Sequence, residues 1–171
     1  MKFVLDNIHE DKVCNMHPRN RTFIYVYRLG HYFYTRNSKS LFSIFFRFLN
    51  KILINQNNHI PLSAKIGAGI RLPHLMGIVI SGNVVIGRQC TIFHQVTIGV
   101  NDLVNDKAPH IGDDCYIGAG AKLIGDIKIG DHVKIGANAI VTVDVPSHAT
   151  VVGINKIVKT NSSVPTERSQ D

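Results

Sequence analysis

Tryptophan is absent from this 171-residue chain, and cysteine occurs only at Cys14, Cys90 and Cys115. The three cysteines form no CxxC and no other metal-type spacing, and an odd number suits a disulfide framework poorly. Free thiols in a reducing cytoplasm are expected. The opening residues, MKFVLDNIHEDK, lack the long apolar stretch of a secretory leader. Acidic residues are scarce in one region. Residues 1–59 hold nine Lys/Arg against three Asp/Glu, whereas residues 60–155 hold seven of each. The excess behind the net charge of +7 therefore sits in the N-terminal segment. No nucleic-acid-binding motif accompanies it, so no nucleic-acid partner is expected. An anionic membrane surface or an acidic polymer fits the charge better.

What is present is a rhythm. Stepping by six from Ile60 lands on Ile66, Leu72, Ile78, Val84, Cys90 and Val96. A second run takes Ile111, Ile117, Leu123, Ile129, Ile135 and Val141. Neither a helical nor a strand period produces this spacing, and a fixed short period marks a solenoid. Each hexad is read as one short strand plus a corner, with the aliphatic residue inward and three hexads closing one turn. Glycine follows the apolar residue at Gly67, Gly112, Gly118, Gly130 and Gly136, where tight corners exclude a side chain. Ala68, Ala119 and Ala137 suit the same corners. The step of fifteen from Val96 to Ile111 reads as two hexads plus three residues, or one hexad plus nine.

Solenoids need covered ends. Residues 1–58 hold no hexads and are expected to form a helical cap. Arg21–Arg36 and Leu41–Ile54 look helical, with Ser38 or Ser40 as a cap for the second. In that second segment Leu41, Ile44, Phe45, Phe48, Leu49 and Ile52 recur at three- and four-residue steps. It is too short to span a bilayer. Its apolar stripe is expected to pack on the end of the solenoid; lying on a membrane surface, with Arg47 and Lys51 near phosphates, is the alternative. Residues 59–155 form the solenoid, with a loop at 100–110 leaving it, and residues 156–171 form a tail that is polar and disordered from Thr160.

The segments AKIGAGIRLPHLMGIVISGNVVIGRQCTIFHQVTIG and PHIGDDCYIGAGAKLIGDIKIGDHVKIGANAIVTVDVP resemble the serine O-acetyltransferase family of hexapeptide-repeat acyltransferases. The likeness is greatest to the branch acting on surface polysaccharides, which shares a segment like YVYRLGH and a histidine before VTIG, as at His94. The resemblance implies a mainly β fold, a left-handed parallel β-helix with an N-terminal α-helical segment and one extruded loop. It implies a homotrimer with acetyl-CoA in a groove between subunits, and His74 as general base. Three positions depart from the serine enzymes. The family's Asp fifteen residues before the catalytic His is His59 here, the Asp just before it is Pro73, and the Arg-His pair before the loop Pro is Lys107-Ala108. A sugar hydroxyl of a surface polysaccharide or its precursor is therefore the expected acceptor, with free serine the alternative.

Acetyl transfer from a thioester to a hydroxyl needs a base for the hydroxyl proton and a donor for the developing oxyanion. Histidine titrates near neutrality and suits the first task. His74 and His94 lie twenty residues apart, one eighteen-residue turn plus two, so they fall on successive coils near one edge. Both are expected to be catalytic. His110 and Lys107 are candidates for the acceptor. By motif position Gly99, Ala119, Ala121 and Ala137 are candidates for CoA contact, and Lys156 for its phosphates. Cys90 is expected in a core slot and Cys115 at a small-residue corner. No metal is expected: His74, His94 and His110 lack the close pairing of a β-helical zinc carbonic anhydrase. A non-catalytic scaffold on the same fold is the remaining alternative. The expected location is the cytoplasm, with peripheral contact at the inner face of the membrane.

Overall fold

A computed structural model describes residues 2–15, 17–53, 57–101 and 106–159. Three helices come first, α1 (Lys2–Cys14), α2 (Pro18–Arg36) and α3 (Leu41–Leu53). Pro18 opens α2, where its missing N–H costs nothing. The Ser40 hydroxyl caps α3 by accepting the Ser43 N–H at 3.1 Å. No apolar stripe announces α1, and its existence comes from polar contacts to α2 and to the solenoid.

Short strands follow: β1 (Lys65–Ile66), β2 (Val79–Ile80), β3 (Val85–Ile86), β4 (Thr91–Ile92), β5 (Thr97–Gly99), β6 (His110–Ile111), β7 (Tyr116–Ile117), β8 (Lys122–Ile124), β9 (Lys128–Ile129), β10 (Lys134–Ile135), β11 (Ile140–Val141), β12 (Ala149–Val152) and β13 (Lys156–Lys159). They form three sheets, ordered β1-β3-β6-β9, β2-β5-β8-β11 and β4-β7-β10-β12-β13. The chain visits the sheets in rotation, so neighbours within a sheet belong to successive coils. Val79↔Thr97, Tyr116↔Lys134 and Lys122↔Ile140 are parallel partners eighteen residues apart. The tail begins in order: β13 pairs antiparallel with β12 and covers that end of its sheet. The expected disorder from Thr160 lies outside the described residues.

The core differs from the simple hexad picture in one respect. Each hexad turns two residues inward, as with Ile78 and Ile80, Val84 and Ile86, Val96 and Ile98. The run from Ile60 follows the second slot as far as Leu72 and the first from Ile78 to Val96, and the run from Ile111 follows the second again. Ile86 stacks on Ile111, Ile92 on Ile117 and Ile98 on Leu123. These steps are twenty-five residues, so the loop after β5 inserts seven residues and neither expected count holds. Cys115 is likewise inward rather than at a corner, stacked over Cys90. The adjoining Cys115 thiol and burial hold the Cys90 thiol far above its ordinary pKa.

The first coil exposes a row of backbone groups that no preceding coil can pair. The helices supply the partners. Asp11 accepts the Ile70 N–H at 3.1 Å and forms a buried ion pair with Arg28 at 2.8 Å. Arg28 donates to Ile66 O and, at 2.6 Å, to Gly67 O. The Tyr27 hydroxyl donates to Ala64 O at 2.6 Å, His31 Nδ1 meets Leu62 O at 2.7 Å, and Asn50 Nδ2 donates to Ile60 O at 3.1 Å. Burial pushes the Tyr27 phenol well above its usual range, consistent with its role as a neutral donor.

The apolar stripe of α3 points the other way from expectation. Leu41, Ile44, Phe45, Phe48 and Ile52 are exposed, while Ser43 and Asn50 are buried against the protein. Close packing explains the choice. A Cβ on Gly30 of α2 would sit 3.2 Å from Phe46 Cβ and 2.9 Å from Leu62. Glycine and Ser43 let α3 approach α2, and Asn50 completes the coil's hydrogen bonding.

Candidate active site

His74 lies in a corner two residues longer than the regular ones. His59↔Val79, Lys65↔Val85 and Arg71↔Thr91 are partners twenty residues apart, two more than a standard turn. The surplus falls between Arg71 and Val79, so residues 72–78 bulge outward. His94 sits on the regular corner of the next coil. The two imidazoles meet edge to face, with centroids 5.7 Å apart and planes at 73°. His74 is exposed and His94 half-buried. His94 Nδ1 is buried and has no hydrogen-bond partner among the described residues. A donor or acceptor in that state carries a desolvation cost that a bound polar group would relieve.

Backbone contacts tie three coils together at this edge. The Gln95 N–H donates to Met76 O at 2.9 Å, and the Gly120 N–H donates to His94 O at 3.0 Å. Gly77 takes φ +68 beneath Gln95, a conformation that glycine adopts without strain. Lys122 Nζ donates to Gln95 O at 2.7 Å and to Thr97 Oγ1 at 3.0 Å, placing a cation's attachment beside His94.

Three buried asparagines hold the bulged corner. Asn15 accepts the Leu72 N–H at 2.9 Å and donates to Ile70 O at 2.6 Å. Asn20 donates to Leu72 O at 2.5 Å. Asn58 accepts the Ile78 N–H at 3.0 Å and donates to Leu75 O at 3.3 Å. Both ends of the His74 loop are thus clamped, two clamps coming from the helical cap. None of the three is visible as a site residue in the sequence, where asparagine in a helix or turn reads as surface.

The remaining candidates fall in different places. Gly99 ends β5, and a Cβ there would meet no atom within 4 Å. Ala119 is half-buried and Ala137 exposed, both at corners, while Ala121 is turned fully into the core. Lys156 opens β13 and is exposed. His110 opens β6, on the sheet that lies across the prism from the His74 corner. Lys107 pairs with Asp126 at 2.9 Å, which raises the lysine pKa and lowers the carboxyl pKa. Lys107 and His110 do not join the His74–His94 pair within one subunit. No group of three or more metal-ligating side chains occurs among the described residues.

Residues 108–142 match the family model described as bacterial transferase hexapeptide (six repeats). A solved serine acetyltransferase in complex with CoA is 30% identical, with a TM-score of 0.77, over 92% of this chain and 70% of that one. The chain belongs to the hexapeptide-repeat acyltransferases. A solved serine acetyltransferase from Neisseria gonorrhoeae is 27% identical with a TM-score of 0.82, over 100% of this chain and 72% of that one. The serine acetyltransferase of Mycobacterium tuberculosis is 40% identical over 132 residues, which are 77% of this chain and 56% of that one. The chain spans about half the length of the curated relatives it matches.

These names correct the expected acceptor. Each of these three relatives is named for serine. The expectation rests on three altered positions, at His59, Pro73 and Lys107-Ala108. His59 sits in a strand bridge to Val79, Pro73 is exposed in the loop, and Lys107 pairs with Asp126 at another corner.

Proposed function

We propose that the protein is an acetyl-CoA-dependent serine O-acetyltransferase in which His74 is the general base. The observation that carries this reading is the edge-to-face contact of His74 and His94 on a corner clamped by Asn15, Asn20 and Asn58. The serine Oγ–H gives its proton to a His74 ring nitrogen as Oγ attacks the acetyl carbonyl carbon. A C–O bond forms and the carbonyl becomes an oxyanion. Collapse breaks the C–S bond, and the imidazolium returns its proton to the departing thiolate. The products are O-acetylserine and CoA. His94, with its buried free nitrogen, orients the acceptor or holds a proton beside His74.

In this reading the coil is left-handed and the enzyme a homotrimer, with CoA in a groove between subunits. Gly99, Ala119 and Ala137 give the pantetheine arm close access, Ala121 backs that wall from the core, and Lys156 meets the phosphates. Lys107 and His110 serve the His74 site of a neighbouring subunit, since their own lies across the prism. A supply of acetyl-CoA places the reaction in the cytoplasm, and the net positive charge favours its inner membrane face.

The test is thiol release from acetyl-CoA with and without L-serine, with O-acetylserine identified by mass. Serine-dependent release is expected, and His74→Ala should lower it by roughly 10²–10⁴-fold. CoA affinity and particle size should stay unchanged in that variant. Absence of serine-dependent release from protein that binds CoA overturns the proposal.

A further inference from the structure

The outer face of α3 has no partner in the protomer. Phe45 and Phe48 are 55% and 64% exposed, and Leu41, Ile44 and Ile52 extend the same stripe. Contiguous apolar surface of this kind marks an interaction site. Inward rotation of the stripe is prevented by the packing of Gly30 on Phe46 and by the bond from Asn50 to Ile60 O. The exposure is therefore built into how the helix seats.

The surrounding charge says what the stripe meets. Arg47 and Lys51 sit four residues apart along its flank, and Lys39 precedes the helix. No Asp or Glu occurs between Asp11 and Asp102. Two such faces brought together would repel, so a second copy of this chain is a poor occupant. No helix among the described residues is long and apolar enough to cross a membrane. A short helix with aromatic residues on one face and basic residues on its flank lies in the headgroup region of an anionic bilayer.

We propose that α3 docks the enzyme on an anionic lipid surface, with Phe45, Phe48 and Ile52 entering the acyl boundary and Arg47 and Lys51 meeting lipid phosphates. The proposal stands apart from the identity of the acceptor. It is tested by co-sedimentation of the full chain with phosphatidylcholine vesicles, with and without phosphatidylglycerol. Binding is expected to the anionic vesicles and to weaken with added salt. Arg47→Glu/Lys51→Glu should weaken it by about tenfold or more, at about 1 kcal/mol per basic residue. Phe45→Asp/Phe48→Asp should weaken it by at least as much, with particle size and thiol-release activity retained. Three results would each overturn the proposal: failure of the parent chain to sediment with anionic vesicles, undiminished sedimentation of the Phe variant, or a smaller particle for that variant. The last would show that a second copy covers the stripe.

Discussion

Helices α2 and α3 lie side by side and use their residues in opposite senses. Helix α2 buries Phe23, Ile24 and Tyr27, and sends Arg28 and His31 to the backbone of the first coil. Helix α3 turns Ser43 and Asn50 inward and leaves Leu41, Phe45, Phe48 and Ile52 outside. The difference follows from what each must satisfy. The open end of a solenoid offers unpaired carbonyls and amides, and a covering element is chosen by its hydrogen bonds as much as by its apolar area. Where a helix can meet those groups only with its polar side, its apolar side is left over for something else.

Three substitutions sharpen this contrast. The largest effect is expected at Arg28, 5% exposed beside Asp11 at 1%. Arg28→Met strands a buried carboxylate and should cost about 3–5 kcal/mol in urea unfolding. An unchanged midpoint would mean that the cap is not held by its polar face. Next is Asn58→Ala, which leaves Leu75 O and the Ile78 N–H without their partner. Each buried group so orphaned costs about 1–3 kcal/mol. Because the same bonds fix the ends of the His74 loop, kcat should fall while CoA affinity holds; equal loss in both would indicate general unfolding instead. The smallest effect is expected on the outer side of α3. Phe48→Ala removes a large side chain from solvent and should shift stability by no more than about 0.5 kcal/mol. A loss typical of core phenylalanines, about 3–5 kcal/mol, would show that Phe48 is covered in the assembled protein.

The solenoid is legible in the sequence because its inward slots recur at a fixed step and take aliphatic residues, with cysteine at Cys90 and Cys115. The changes of slot between Leu72 and Ile78 and between Val96 and Ile111 are not, since both inward positions accept aliphatic residues equally well. The stripe on α3 is legible as a stripe, but periodicity does not tell which side faces the protein; Gly30 and Ser43 decide that through a close approach seen only in three dimensions. The meeting of His74 and His94 is foreshadowed by their separation of one turn plus two. The asparagine clamps are not, because their partners are backbone atoms, which carry no residue identity. The acceptor is misread when three altered side chains are weighed above a likeness that runs through most of the chain.

The clamps on the bulged corner also bear on how the molecule is made. Helices α1 and α2 are synthesised before residues 60–78, so Asp11, Asn15, Asn20 and Arg28 are made with no backbone yet to bind. The first coil is what settles them, and in settling them it fixes the bulge at His74. Maturation of the cap and readiness of the imidazole are one event, so a shortened chain that begins at the repeats would wind its coils yet carry its histidine on a slack loop.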